Sequence, residues 1–420
     1  MQWKIRKQTV LQLIVLILMF YIHGSYALIA LFGDNRYIIV TALAIIIILM
    51  HSINYLKNIF IFAVVTLFFT VFVRMATGGV GVRDWLIHLS MLSITYAAFV
   101  CDRNNCAKNW VKIVTFYSTI SILFFVLSQI SPELTKSILG EPRIGITSVT
   151  EWSTTSYMVW GKWLYVYSQY HAGRNLGVFT EPGLFQIVVN SALFVVLFQG
   201  KMLGNIEKYR RPIVFILIAT VITCQSTSGY FALAVMMIFY FVKYKNDELL
   251  SKKSIVILIT AFVTYLIYDY SKNGTDSMIY TAIIRKLFTD SGFSLSSDTG
   301  SYRITTIFEC LYSAIRHPLG VGYDAINNSL QASGGVGAAV MTYLAGMGII
   351  PFAFIMYWIF KPLHGISANL PMCLLVVFLY FNSALAQSAV FYPGLIIIPI
   401  LLNYDNTIGG EIQDDSRDHF

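Results

Sequence analysis

Long apolar runs recur along the chain from Leu11 to Leu402, each closed by a short polar or basic stretch. A run of about 20 mostly apolar residues is enough to span a bilayer as a helix. Read by that length, the pattern predicts spans at 10–32, 37–56, 58–76, 85–101, 110–130 and 183–199. A second group follows at 212–226, 229–243, 254–270, 336–360, 369–387 and 389–403. The expectation is an all-α polytopic membrane protein of about twelve helices. Pro393 and Pro399 interrupt the last run, which spans tolerate when neighbours satisfy the freed carbonyls. The run from Val10 to Phe32 exceeds the apolar core of a cleaved signal and reads as a retained first span.

Two stretches between runs are long, 131–182 and 271–335. Structureless connections of that length are uncommon unless they carry function or fold locally. In the second, Ile304, Ile307, Phe308, Leu311, Tyr312 and Ile315 recur at spacings of three and four, predicting an amphipathic helix over Ser301–Ile315 with its apolar face on the membrane surface or on the spans. Arg316-His317-Pro318 ends it, because a proline disfavours helix at the residue before. Gly320-Val321-Gly322 then permits a tight turn or a close backbone approach to a ligand.

Charge orients this layout. With the N-terminus inside, the inner segments hold Lys4, Arg6, Lys7, Lys57, Arg103, Lys108, Lys201, Lys208, Arg210, Arg211, Lys243, Lys245, Lys252, Lys253 and Lys361. The short outer loops hold Arg36, Arg74 and Arg83. Basic residues concentrate on the cytoplasmic side, so both termini are expected inside and both long loops outside. Composition agrees. Of 420 residues 57% are hydrophobic and 12% charged, against roughly 25% charged in soluble domains. The formal charge of +8 is accounted for by these inner loops, and no nucleic-acid-binding signature accompanies it. The five cysteines and seven histidines show no metal-ligand spacing, and no disulfide is expected.

Candidate chemistry lies in the two long loops. Arg174-Asn175-Leu176-Gly177-Val178-Phe179-Thr180-Glu181-Pro182-Gly183 stands where the first loop re-enters the apolar region. Pro182 suits a first helical turn, which puts Glu181 near the N-cap. Two readings of Glu181 stand open: a helix cap, or a base or acceptor for a sugar hydroxyl. Arg174 offers a planar fork suited to phosphate, or pairs with Glu181, or meets lipid headgroups. Arg285-Lys286, Arg303, Arg316-His317 and Tyr323-Asp324 form a second set in the other loop. A diphosphate substrate would explain its cations, headgroup contact by long side chains being the other reading. His317 stands in a helix-stop context that also fits a purely structural role. Trp152, Tyr157, Trp160, Trp163, Tyr165, Tyr167 and Tyr170 read as an interfacial aromatic belt or as platforms for sugar rings. Gln225-Ser226-Thr227-Ser228-Gly229 is an outer turn or a polar seam between helices. No chain of acids or histidines runs through the apolar segments, which weighs against a proton-coupled transporter.

With these residues in view, the chain resembles the O-antigen polymerase (Wzy-type) family, within the superfamily that includes the O-antigen ligases. The likeness covers the whole layout. Locally it rests on Arg174-x-x-Gly177-x-Phe179-x-Glu181-Pro182, and on Ser301-x-Arg303 followed by His317-Pro318-Leu319-Gly320-Val321-Gly322. The resemblance implies a fold like that of the GT-C lipid-sugar-dependent transferases, set in a bacterial inner membrane with both long loops in the periplasm. It also implies a metal-independent glycosyltransferase without cofactors, acting on donor and acceptor repeats linked to undecaprenyl diphosphate, and a chain-length regulator as a partner. In that reading Arg174, Arg303 and Arg285 bind diphosphate, Glu181 and His317 position the acceptor or take its proton, and Tyr323 and Gly177 touch substrate. Ligases of the superfamily carry a histidine shortly before the span after the second loop. Asn327 to Gly335 holds none, which favours polymerase. A flippase, the other alternative, would be expected to show a charged cavity through the spans.

Overall fold

The computed structural model describes residues 7–77, 82–144, 157–244, 298–333, 339–387 and 391–415, with isolated stretches between 260 and 293. It is mostly helical. The expected span at 254–270 lies largely outside the described residues, as do Lys4, Arg6, Trp152, Arg285 and Lys286; for Arg303 only the backbone is described.

Helices α1 (Lys7–Ile22), α2 (Tyr26–Phe32), α3 (Asn35–His51), α4 (Ile53–Thr77), α5 (Val82–Cys101) and α6 (Arg103–Ile130) open the chain. The apolar run over 10–32 is therefore two helices. It breaks at His23-Gly24-Ser25, where Gly24 has φ +116° and the Ser25 side chain caps α2. Residues 53–73 and 103–130 form helices long and apolar enough to cross a membrane. Two bent pairs, Tyr26–Phe32 with Asn35–His51 (100°) and Pro182–Phe198 with Gly200–Cys224 (95°), raise the number to four if each pair is one span. The remaining apolar helices are shorter, between 10 and 17 residues. Large apolar side chains face outward; on α4, Phe60 and Phe68 are 67% and 63% exposed.

After α6 come α7 (Pro132–Leu139) and a small antiparallel sheet, β1 (Arg143–Ile144), β2 (Met158–Trp160) and β3 (Tyr167–Ser168). Val159 pairs with both Arg143 and Ser168. The loop aromatics divide between two environments. Tyr165 and Tyr167 are buried, Tyr165 stacking on Phe124 at 5.3 Å, while Trp163 and Tyr170 are exposed.

Helix α8 (Pro182–Phe198) is the hub: every one of its 17 residues is buried. At about 1.5 Å per residue it is about 25 Å long. It packs on α6, α9 (Arg210–Cys224), α10 (Thr227–Lys243) and α16 (Pro393–Asp415). Its polar positions are paired inside the bundle. Trp110 donates to Ser191 Oγ (3.1 Å), Asn190 Nδ2 to Gln186 Oε1 (2.7 Å) and Gln186 Nε2 to Ser228 Oγ (3.4 Å). Gln225-Ser226-Thr227-Ser228-Gly229 thus serves as both a turn between α9 and α10 and a polar seam onto α8.

The second long loop carries α11 (Asp298–Arg316) and α12 (Tyr323–Ser333), followed by α13 (Ala339–Met347), α14 (Ile349–Phe360) and α15 (Leu370–Ala386). The apolar run over 336–360 is also broken, at Gly348 with φ +91°. Helix α11 packs on α13 through small residues, with Thr306, Cys310 and Ala314 buried. Phe308, Leu311, Tyr312 and Ile315 point outward. The apolar face expected on membrane or spans is thus turned away from the bundle.

Contacts sort the helix ends into two groups. Gln12 of α1 donates to the Asp102 carbonyl at 2.6 Å, Tyr404 of α16 bonds Asn104, and Arg103 lies over Tyr55 at the start of α4. At the other end, Asp34 pairs with Arg83 (3.0 Å) and Arg36 (3.6 Å), and Thr180 N donates to Gly24 O at 3.0 Å.

Candidate functional site

Residues 171–181 form a turn pinned from three sides. Asn175 is fully buried, donating from its backbone to Thr223 O (2.9 Å) and from Nδ2 to Ser121 Oγ (3.1 Å) and Thr223 Oγ1 (3.0 Å). Its Oδ1 accepts from Gly177 N at 3.0 Å. A bridge between Ser25 and Phe179 stitches the same segment to the break after α1.

Arg174 is held against the C-terminus of α9. Its Nε donates to Cys224 O (3.3 Å) and one Nη to Gln225 O (3.0 Å). Gln225 takes the left-handed conformation there (φ 49°) and returns a bond from Nε2 to Gly173 O at 2.8 Å. A cation on the last carbonyls of a helix also complements its dipole. Arg210 does the same for α8, donating to Val196 O (2.7 Å) and Leu197 O (2.8 Å). Of the five guanidinium N–H donors, Arg174 spends two in this way, and the other three meet no acceptor among the described residues.

Glu181 occupies the N-cap of α8 in extended conformation (φ −138°, ψ 141°), followed by Pro182 at the first turn. Its carboxylate makes no capping hydrogen bond. Burial pushes its carboxyl above the usual carboxylate range, and the Arg174 charge pulls it partly back. The two groups therefore sense each other without forming an ion pair. The arrangement provides a partly spent cation and a carboxylate without a capping bond at the N-terminal end of α8. It suits binding of an anion next to a group that accepts a proton.

Other residues near this turn were not legible as site residues. His23 is 5% exposed and neither ring nitrogen has a hydrogen-bond partner among the described residues. Its ring stands edge-on to Tyr392, 4.9 Å between centroids. Gln387 lies against Gly183, where a Cβ would collide with its side-chain amide, and its Oε1 is buried without a partner among the described residues. The polar triplet at 23–25 inside an apolar run was the available signal for the first.

The remaining sequence candidates are placed elsewhere or do different work. Gly177 is buried with φ +57°, and a Cβ there would meet the Phe185 ring at 2.8 Å; its role is close packing, and it offers no surface to a substrate. Tyr323 packs its ring on Gly346 and Tyr343 instead of facing Arg174. Gly320 and Gly322 do bring backbone close, but the partner is the α13–α14 junction and not a ligand. Val321 N donates to Ala345 O (3.2 Å), Gly322 N to Gly346 O (3.0 Å) and Ile350 N to Pro318 O (3.4 Å). His317 is exposed and lines a cavity of about 310 Å³ between α11 and α12 with Glu309 and Arg316; neither Arg174 nor Glu181 lines it. Arg285 and the Arg303 side chain lie outside the described residues.

His171, two residues from the 173–174 contact with α9, supplies a pH test of this turn. Burial first, and the Arg174 charge second, lower it to about 4. An unfolded chain protonates histidine near ~6.5. Between those values the unfolded chain binds the proton and the folded one does not, so stability falls with pH. The contribution of neutral His171 is whole above about pH 6.5 and is lost as the pH drops toward about 4. The thermal unfolding midpoint of the purified protein is expected to decline across that window, and His171→Asn to make the decline shallower. An unchanged slope in the variant would show that His171 does not couple protonation to folding.

No family model, curated protein or solved structure matches the chain.

Proposed function

We propose that the chain is an integral membrane glycosyltransferase that polymerises lipid-diphosphate-linked oligosaccharide repeats, as in O-antigen synthesis, at the outer face of the bacterial cytoplasmic membrane. About twelve spans with both termini inside is part of this reading. The outward apolar surfaces support it. So does the sorting of helix ends: the start of α1, the α5–α6 junction and Tyr404 gather at one end, and Gly24, Asp34 and Thr180 belong to segments expected at the other.

The observation that carries the reaction is the Arg174–Glu181 arrangement at the head of α8. An acceptor hydroxyl of one undecaprenyl-diphosphate-linked repeat attacks the anomeric carbon of the growing glycan. The new C–O bond forms as the bond from that carbon to the lipid diphosphate breaks. Glu181 receives the hydroxyl proton, and the free donors of Arg174 stabilise the charge gathering on the diphosphate. Arg303 and Arg285 belong to the same anion site in this proposal, and a chain-length regulator is the expected protein partner. His317, in a separate cavity, has no assigned step.

Lipopolysaccharide gels test the reading. A deletion strain should lose the ladder while keeping one repeat on the core, and complementation with Glu181→Gln at normal protein level should give the same pattern. Loss of every repeat in the deletion strain would point to a ligase or flippase and end the proposal. A full ladder from Glu181→Gln would remove Glu181 from the chemistry.

A further inference from the structure

Three sectors run along α11. One, through Thr306, Cys310 and Ala314, is packed on α13. The second is apolar and bare, with Phe308 68% and Ile315 71% exposed. The third faces the cavity shared with α12, where Glu309, Arg316 and His317 stand around a floor that includes Cys310, Ile326 and Leu330. Tyr312 joins the second sector to the third: it lines the cavity, and helical spacing sets it beside Phe308 and Ile315. The Arg316 guanidinium lies over its ring, 4.2 Å from the centroid.

The charges in this cavity are of both signs. Glu309 makes no ion pair with Arg316 or His317 among the described residues. An anion alone would have to sit against the Glu309 carboxylate, and a cation alone against Arg316. A ligand carrying both signs a few ångströms apart satisfies the whole set, and an apolar tail on that ligand would cover the bare sector next to it. We propose that the α11–α12 cavity binds a phosphoethanolamine lipid headgroup, its ammonium on Glu309 and its phosphate on Arg316 and His317, with the acyl chains along Phe308, Leu311 and Ile315. A primary ammonium donates hydrogen bonds to a carboxylate, and a trimethylated one cannot. The site therefore selects phosphatidylethanolamine over phosphatidylcholine. It selects against phosphatidylglycerol because that headgroup leaves Glu309 without a cation. The inference rests on the membrane placement proposed above and is independent of the glycosyl-transfer chemistry.

The test is native mass spectrometry of the full-length protein, delipidated in a non-phospholipid detergent and titrated with dioleoyl forms of the three lipids. Exposed ion pairs are weak, so the expected preference for the ethanolamine lipid over each of the others is about fivefold. Glu309→Gln should abolish the preference over the choline lipid, and Phe308→Ala with Ile315→Ala should weaken all three. Soluble phosphoethanolamine should fail to compete at equal concentration. Equal binding of the three lipids to the wild type would overturn the proposal, as would an undiminished preference in Glu309→Gln. Displacement of the lipid by farnesyl diphosphate at lower concentration would overturn it too, and would assign the cavity to the reaction site. None of these readouts measures polymer, so their failure is separable from failure of the polymerase reading.

Discussion

Arg174→Ala is expected to collapse the polysaccharide ladder to single repeats and to lower the polymerisation rate about a hundredfold or more, the scale seen when one fixed donor to a developing anion is removed. The side chain has two jobs, and alanine removes both. Its bonds to Cys224 O and Gln225 O close the end of α9, and hydrogen bonds from a charged donor contribute roughly 1.5–3 kcal/mol each. Part of the loss would therefore register as a lower thermal midpoint. Arg174→Lys separates the jobs. An ammonium can satisfy the α9 carbonyls as a point charge, but it cannot hold two of them in a fork and keep donors for a phosphate. The lysine variant should thus unfold closer to wild type than the alanine variant while its ladder stays short. A normal ladder from Arg174→Lys would mean that the fork is not used on substrate. A normal ladder from Arg174→Ala would take the residue out of the site.

The helix ends that carry a local chemical signal were legible in the sequence: Pro182 behind Glu181 at the start of α8, and the polar turn from Gln225 to Gly229 between α9 and α10. The two broken runs were not. Averaging over an apolar window senses how oily a stretch is and is blind to a positive φ, so Gly24 and Gly348 passed as interior residues of single spans. Arg174 and Glu181 could be assigned to one site because they stand only seven positions apart in the chain. The carbonyls that Arg174 binds are fifty residues further on, and no local pattern marks them. Helix α11 shows a third limit. Its 3.6-residue period identified the amphipathic helix correctly, yet period alone does not say which face meets the protein, and here the small-residue face does. The glycines of His317-Pro318-Leu319-Gly320-Val321-Gly322 announced a close backbone approach. The identity of the approaching backbone, Ala345 to Gly348, required the fold.

That backbone clasp makes Gly348→Ala the substitution expected to damage the fold most. A Cβ at Gly348 would lie 2.5 Å from the Leu319 carbonyl carbon and nearer still to Gly320 N and Pro318 O; one at Gly320 would lie 2.6 Å from the Met347 carbonyl carbon. All of these are main-chain atoms, so no side chain can swing away to make room. Relief requires the 318–322 turn to move off the α13–α14 junction, breaking the bonds from Val321, Gly322 and Ile350. Steric overpacking costs typically about 1–3 kcal/mol, and a left-handed backbone conformation costs an L-residue roughly 1–2 kcal/mol more. The sum approaches the low end of the ~5–15 kcal/mol by which domains are stable, so little folded Gly348→Ala protein should accumulate in membranes. Gly140→Ala is the control. Gly140 has φ +87°, close to the +91° of Gly348, but nothing lies within 4 Å of its would-be Cβ. It should pay only the conformational part, and thermal unfolding of the two variants should separate the terms. If Gly348→Ala proves no less stable than Gly140→Ala, the junction tolerates a methyl group and the close approach of the two chain segments is not what holds the second loop to the bundle.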